Sequence, residues 1–353
     1  MTQTDTLQLF QPMEEREFEH ISFFHDQKTG LRSIIAIHST KLGPALGGCR
    51  FYPYANEQKA LADVMNLAQS MTSKAAMAGL ELGGGKSVIL GNPKKDKNPQ
   101  ILEAFAKCVE RLGGKYITSV DSGTSSEDLD IFSRQTKHVV GLTPNMGGAG
   151  DPSPLTALGV LCGIEASVEH CFGSKDLTGK KVAIQGVGHV GYILTKLLRE
   201  KGAEIVISDV DAQKASDTAK QLQVETCSAD EIVSRECDIF APCAMGGVIN
   251  EKSLDTLKCK IVAGAANNPL ASKEVARDLF EKGILYAPDF VINAGGLIHV
   301  AQELRGYDRE KVEAKTMNIY KTIKSILERA DQDKVSPATV ARSMAREIVE
   351  KAQ

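Results

Sequence analysis

Apolar positions in the first third of the chain recur with two different periods. Residues 33–38 (SIIAIH) form an apolar run of strand length. Between 57 and 78, Leu61, Val64, Met65, Ala68 and Met71 return every three or four residues, as on one face of a helix. A short strand is expected at Lys86–Leu90 (KSVIL), directly after three glycines, and an amphipathic helix at 99–112. Tyr116–Val120 has strand character and runs into a polar turn, Asp121–Ser126.

Residues 144–154 (PNMGGAGDPSP) break these patterns with prolines and small residues, as a hinge or linker does. The periods then alternate. A helix near 156–172 leads to a strand at 181–185 (KVAIQ), a glycine turn, a helix at 190–201 and a strand at 204–208 (EIVIS). Further strands are expected at 237–241, 260–264 and 284–286. Strands alternating with helices imply parallel βαβ units. The stretch 309–352 is helical by period, interrupted near Val335–Pro337, and too polar to form a core of its own. It is expected to pack back on the first domain. The chain therefore reads as α/β with two domains, residues 1–147 together with about 330–353, and residues 148–329.

Composition narrows the function classes. A length of 353 residues accommodates two domains, and 42% hydrophobic and 25% charged residues are ordinary for a globular protein. A net charge of -3 without a basic block argues against a nucleic-acid partner. The opening MTQTDTLQLFQPMEEREFEH lacks a charged start and an apolar run, and no segment approaches the roughly 18 apolar residues of a spanning helix. A cytoplasmic chain with no membrane partner is expected. The cysteines (Cys49, Cys108, Cys162, Cys171, Cys227, Cys237, Cys243, Cys259) form no C-x-x-C pair and there is no H-E-x-x-H. They are expected to be buried thiols in a reducing compartment, without a zinc site.

Gly186-Val187-Gly188-His189-Val190-Gly191 is a G-x-G-x-x-G that follows an expected strand and opens an expected helix. The first glycine permits the tight turn, the second lets a pyrophosphate approach the backbone, and the third allows close helix–strand packing. A helix opening near His189 would aim its first N–H groups at the phosphates. Asp209 ends the next strand, about 20 residues on, where the fingerprint places the ribose-binding acid. A carboxylate there accepts ribose hydroxyls and repels a 2′-phosphate, so the cofactor is expected to be NAD on a Rossmann-type domain. The plainer reading of Asp209 is a helix cap. Asp211 is a lesser candidate helper.

Gly83, Gly84 and Gly85 precede Lys86, and Lys74 lies near the end of the preceding helix. A lysine is usually a solvated surface charge, but these two flank the apolar stretch AAMAGLELGGG. Such glycines admit a lysine into a crowded cleft. An ion-pair cluster joining the two domains is the alternative for Lys74, Lys86 and Asp121.

Seven blocks in order carry a family resemblance: LGPALGGCRFYPY (42–54), MTSKAAMAGLELGGGKSVI (71–89), DSGTSSEDLD (121–130), GDPSPLTALGV (150–160), APCAMGGVIN (241–250), AGAANNPL (263–270) and APDFVINAGGLIHVAQEL (287–304). The chain resembles the leucine/phenylalanine/valine dehydrogenase branch of the glutamate dehydrogenase superfamily from about Phe18 to the C-terminal helices. The resemblance implies an N-terminal α/β substrate-binding and oligomerisation domain and an NAD-binding domain, in a homo-oligomer that exchanges an L-amino acid for its 2-oxo acid and ammonia. It implies that Lys74 binds the α-carboxylate, Lys86 is the general base that activates water, and Asp121 assists proton transfer near the amino group. Asn267 would lie near nicotinamide and substrate, while Thr156, Cys243, Ala244 and Ala265, with Val190, line the cofactor cleft. Gly47 and Gly48 would border the substrate.

Comparison within the superfamily bears on the substrate. Glutamate enzymes carry a lysine at the position of Leu46 and a serine at that of Val300, and an apolar pair cannot satisfy a buried carboxylate. Ser119 and Leu297 occupy positions that tend to differ between leucine and phenylalanine enzymes, and together they point to a narrow pocket. Val120 departs from the acid common in leucine enzymes. A branched-chain substrate is expected, with phenylalanine or tryptophan as the alternative. Met71, Leu46, Leu297 and Val300 are also open to a plain core role. A catalytically silent NAD-binding protein on the same fold is the alternative of another class.

Overall fold

The computed structural model describes residues 9–244 and 246–352. The chain divides into two compact units: Met1–Gly150 with Glu303–Tyr307 and Ala345–Gln353, and Asp151–Gln302 with Asp308–Met344. The first crossing, at Gly150, falls inside the proline- and glycine-rich 144–154 segment.

In the first unit α1 (Phe10–Glu15), β1 (His20–Asp26), β2 (Leu31–Ser39) and β3 (Ala45–Tyr52) precede α2 (Glu57–Met77). β4 (Gly83–Leu90), α3 (Pro99–Arg111), β5 (Tyr116–Val120) and α4 (Ser126–Phe132) follow. The sheet order is β1-β2-β4-β3-β5. β1 and β2 are antiparallel, as are β2 and β4, whereas β3 runs parallel to both β4 and β5. One face packs on α2 through Ile34, Ala36 and Val88 against Leu61, Val64, Met65 and Ala68. The other packs on α3 through Ile35, Ile37, Phe51, Ile89 and Tyr116 against Leu102, Phe105 and Val109. Alternate residues of each strand thus serve different helices. Asn56 and Asn98 start α2 and α3 by accepting the N–H of Lys59 and Ile101.

β4 begins at Gly83 and not at Lys86, so the glycines are themselves strand residues. A Cβ on Gly84 would lie 2.1 Å from the backbone nitrogen of Thr72 on α2, and one on Gly83 1.9 Å from the Ser39 carbonyl oxygen. The glycines let helix and neighbouring chain approach the strand, so the strand expected at Lys86–Leu90 extends back over all three.

The second unit opens with α5 (Ser153–Phe172), β6 (Lys181–Gln185), α6 (His189–Glu200), β7 (Glu204–Ser208), α7 (Ala212–Leu222) and β8 (Glu225–Thr226). β9 (Ile239–Pro242), α8 (Glu251–Leu254), β10 (Ile261–Val262), α9 (Lys273–Glu281) and β11 (Leu285–Tyr286) follow. α10 (Asp289–Ile292), α11 (Gly295–Ala301), α12 (Arg309–Met317), α13 (Ile319–Asp333) and α14 (Pro337–Lys351) complete the chain. The sheet is parallel throughout, in the order β11-β10-β9-β6-β7-β8. The direction of winding reverses between β6 and β9, the doubly wound Rossmann arrangement, and ligands of such sheets bind beyond the strand ends at that point.

Three expectations need correction. The helices beyond 308 do not go to the first unit from about 330: Asp308–Met344 belong to the second, where Ile319 of α13 packs against Gly159 of α5. Among the described residues α5 alone, with 20 residues, is long and apolar enough to cross a membrane. Its apolarity follows from packing: Gly159 and Gly163 lie against Ile319 and Ile292, and twelve of its residues are buried. Nor are all the thiols buried, since Cys171 is exposed and Cys227 and Cys243 are half-buried.

Candidate active site

Strand alternation gathers one set of residues on the α2 face of the first sheet. Leu46 pairs with Gly84, and Gly48 with Ser119, so Leu46, Gly48, Lys86 and Ser119 share this face. α2 carries Met71 and Lys74, both half-buried. Leu46 is 1% exposed, so its side chain is packed in the core of the unit. Ser119 is buried, with its hydroxyl beside Gly141.

Two close approaches make the sheet possible here. A Cβ on Gly47 would lie 1.7 Å from the Gly85 carbonyl oxygen, and one on Gly48 2.3 Å from the Val120 carbonyl oxygen. Beneath them the buried Tyr116 hydroxyl donates to the Gly47 carbonyl at 2.6 Å and accepts from the Ser87 hydroxyl at 3.0 Å. Gly47 and Gly48 therefore have a demonstrable packing reason.

Lys86 is buried and its Nζ forms an ion pair with Asp121 Oδ2. Both belong to the first unit, so this pair is not a bond between domains. Asp121 stands just past β5, its backbone N–H donating to Thr124 Oγ1 at 3.0 Å. Its Oδ1 accepts the Ser122 N–H at 2.7 Å and Nε of Arg50 at 2.8 Å. Burial alone would raise the Asp121 carboxyl, but Lys86 and Arg50 outweigh it and hold the pKa down at about 2. Arg50 also donates to Asp63 Oδ2 of α2 at 2.9 Å, and the Tyr54 hydroxyl donates to the same oxygen. Arg50 and Asp63 escaped the sequence-based selection. Arg50 does stand two residues after Gly48, on the same strand face, and Asp63 stands three helical turns before Lys74.

In the second unit a glycine turn, the candidate nucleotide loop, connects β6 to α6. Gly186 takes a φ of 94°, in the left-handed region, and a Cβ on Gly191 would lie 2.0 Å from the Gly186 carbonyl oxygen. A Cβ on Gly188 would meet no protein atom within 4 Å. α6 starts after Gly188 with no side-chain cap, and His189 is exposed at its first turn. An N-terminus left uncapped beside open space fits a pyrophosphate. Asp209 is not a helix cap: that role falls to Asp211, which accepts the N–H of Gln213 and Lys214. Asp209 accepts the N–H of Val187 in the glycine turn instead, at 2.9 Å.

The remaining residues of this set sit at the ends of neighbouring strands. Cys243 and Ala244 follow β9, with the Cys243 N–H donating to the Gln185 carbonyl at 2.7 Å and Ala244 packed against Gly186. Ala265 and Asn267 follow β10. Asn293, a buried residue that sequence patterns did not single out, donates to the Ala265 carbonyl at 3.1 Å and to Asn267 Oδ1 at 2.9 Å. Thr156, near the start of α5, lies against Gly295 and Gly296 of α11, and α11 carries the buried Leu297 and the half-buried Val300. The residues thus fit a dinucleotide.

Residues 18–138 match the Glu/Leu/Phe/Val dehydrogenase dimerisation domain, and residues 147–213 and 207–353 match the Glutamate/Leucine/Phenylalanine/Valine dehydrogenase domain. The chain is 46% identical to a leucine dehydrogenase of Thermoactinomyces intermedius, covering 98% of this chain and 94% of that one. It is 47% identical to a valine dehydrogenase of Streptomyces virginiae, covering 93% of each. The crystal structure of L-tryptophan dehydrogenase from Nostoc punctiforme superposes with a TM-score of 0.87 at 40% identity, covering 98% of this chain and 99% of that one. Together with the lysine–aspartate pair and the nucleotide loop, these likenesses show that the chain belongs to the glutamate/leucine/phenylalanine/valine dehydrogenase family and is an amino-acid dehydrogenase that works with NAD.

Proposed function

We propose that the enzyme catalyses the reversible oxidative deamination of a branched-chain L-amino acid, leucine or valine, to its 2-oxo acid and ammonia. The observation that carries this reading is the pair of buried Lys86 and half-buried Asp121 on a face shared with Gly48 and Ser119, in a chain whose leucine and valine dehydrogenase relatives align over nearly its whole length. Leu46 and Val300 offer nothing to a second carboxylate, which disfavours glutamate.

Bound NAD supplies the acceptor for the hydride that leaves the α-carbon. Gly186, Gly188, His189, Val190 and Gly191 would hold its pyrophosphate and Asp209 its ribose, with Thr156, Cys243, Ala244, Ala265 and Asn267 along the remainder. The Lys74 ammonium anchors the α-carboxylate. Lys86 Nζ, acting as the free amine, takes the proton of the water that attacks the imine carbon, and Asp121 stabilises the resulting ammonium. That ammonium returns a proton to the departing nitrogen, and Lys86 then takes up the hydroxyl proton as the carbonyl forms. Asp121 also accepts hydrogen bonds from the nitrogen that departs as ammonia. Gly47 and Gly48 border the substrate, and Met71, Ser119, Leu297 and Val300 shape the room for its side chain. The match of residues 18–138 to a dimerisation domain supports a homo-oligomer. A cytoplasmic setting suits these small soluble reactants.

A second reading, an aromatic substrate, is favoured by the likeness to a tryptophan dehydrogenase structure. NADH formation with a panel of L-amino acids decides between them. Leucine and valine are expected to give the highest kcat/KM. Higher values for phenylalanine or tryptophan would transfer the assignment to the aromatic reading, and no turnover of any amino acid would leave a silent NAD-binding protein.

A further inference from the structure

Asp121 has two oxygens, and the structure gives them different work. Oδ1 accepts two donors, Arg50 Nε at 2.8 Å and the Ser122 N–H at 2.7 Å, while Oδ2 faces Lys86 Nζ. Arg50 is in turn held from behind, its Nη1 2.9 Å from Asp63 Oδ2, which also accepts the Tyr54 hydroxyl. The charges therefore alternate along a chain from Lys86 to Asp121, Arg50 and Asp63. The side chains of its four members are 7%, 15%, 23% and 30% exposed in that order, so the chain runs from the interior outward.

We propose that Arg50 is a positioning residue of the reaction: braced on Asp63, its guanidinium pins one oxygen of Asp121 so that the other is presented to Lys86. This rests on the reading of Lys86 and Asp121 as the proton-transfer pair. A carboxylate held by one partner can swing about its Cβ–Cγ bond, whereas the planar guanidinium donates along fixed directions to two acids at once. The pin connects β3 to the segment after β5 and to α2, so it aligns three elements that do not follow one another in sequence. An ion pair that merely joined α2 to β3 would need only the Arg50–Asp63 contact.

Among the described residues, the groups that act electrostatically on Asp121 include Lys86 from β4 and Arg50 from β3, with Cys49 of β3 and Tyr116 of β5 on the other face of the sheet. Asp63 of α2 and Tyr54 stand behind Arg50. Removing the guanidinium takes away one of the two cations, Lys86 and Arg50, that hold the Asp121 carboxyl down, so the carboxyl titrates at higher pH.

The test measures the titration of the Asp121 carboxyl by carbon-13 NMR in the protein without substrate, alongside steady-state kinetics, for the wild type, Arg50→Gln and Arg50→Lys. For Arg50→Gln we expect a higher titration midpoint and a kcat lower by about 10- to 100-fold, as misplacement of a reacting group produces, with the KM for NAD unchanged. Arg50→Lys should restore the midpoint, because the charge returns, but only part of kcat, because an ammonium cannot hold both acids in the same geometry. If Arg50→Gln does not fold, Asp63→Asn removes the brace while keeping the Arg50–Asp121 bond, and a several-fold loss of kcat at wild-type KM for NAD supports the proposal. A folded Arg50→Gln or Asp63→Asn enzyme with wild-type kcat overturns it, as does an unmoved Asp121 midpoint in Arg50→Gln. A wild type that turns over no amino acid overturns the dehydrogenase reading instead, and the titration still decides whether Arg50 holds Asp121.

Discussion

The carboxylate of Asp209 accepts the backbone N–H of Val187 at 2.9 Å, so the acid at the end of β7 also fastens the glycine turn after β6. On the proposed function two jobs fall on one side chain: shaping the loop, which the Val187 bond shows, and selecting the cofactor.

Substitution separates these jobs. Asp209→Asn keeps an acceptor for Val187 but loses the charge that repels a 2′-phosphate, whereas Asp209→Ala loses both. The wild type should prefer NAD strongly. Asp209→Asn should lower the NAD-to-NADP ratio of kcat/KM by about 10- to 100-fold, since a hydrogen bond to a charged group contributes roughly 1.5–3 kcal/mol. Asp209→Ala should weaken NADH binding as well. A wild type that uses NADP as well as NAD would show that Asp209 is not at the ribose.

Lys86→Ala should lower kcat by about 100- to 10,000-fold, the usual contribution of a general base, and should leave NADH binding intact because the nucleotide loop belongs to the other unit. Lys74→Ala should mainly raise the KM for the amino acid, as loss of an anchor does when it holds ground and transition states alike. Steady-state kinetics with fluorescence titration of NADH read both. Full turnover by a folded Lys86→Ala protein would remove the base assignment.

Acid stability should depend on Asp121. Its carboxyl is held at about 2, below the ordinary aspartate value of about 3.8, so its contribution is fully present above about pH 4 and is lost as the pH falls toward 2. At 1.36 kcal/mol per unit the contribution is about 2 kcal/mol. Asp121→Asn should be less stable near neutrality, because Lys86 is left buried without its anion. The gap to the wild type should narrow as the pH is lowered through that window. Denaturant unfolding of both proteins over the range measures it, and a constant gap would show that the Asp121 charge does not stabilise the fold.

Two glycines should fail in different ways. Gly47→Ala places a methyl 1.7 Å from the Gly85 carbonyl oxygen, so β3 and β4 must move apart. A loss of at least about 1–3 kcal/mol is expected from such overpacking, seen as a fall in Tm. Gly188→Ala meets no protein atom and has an ordinary φ of -63°, so Tm should hold. The added methyl instead occupies the space where the pyrophosphate approaches, and the Kd for NADH should rise at least about tenfold. Unchanged NADH affinity in this variant would place the pyrophosphate elsewhere.

Much of the second unit is legible along the chain. KVAIQ, the glycine turn and EIVIS follow one another, so strand, loop and helix each have a local signal, and β6 and β7 fall where the period places them. Lys86, Asp121 and Asp209 are likewise visible, because unusual glycines or a fixed spacing mark them. β3 is not: its Gly-Gly pair weakens the strand pattern, and only the neighbouring strands show why no Cβ can stand there. The extent of β4 is hidden for the same reason, since Thr72 of α2 is what demands Gly84.

What the sequence by itself determined is which faces are apolar, where the glycine turn after β6 lies and which few polar residues stand in apolar surroundings. The tertiary structure alone decided which element covers each face and which charges meet. Arg50 reaches Asp121, 71 residues away, and Asp63, 13 residues away, through the registers of β3, β4 and β5 and the seating of α2. Asn293 reaches Asn267 through the packing of helix segments beside β10. The C-terminal helices went to the second unit up to Met344, where Ile319 of α13 packs on Gly159 of α5. Periodicity records how a segment divides between water and core, but it carries no address for the partner, and ion pairs and close backbone approaches exist only once that partner is in place.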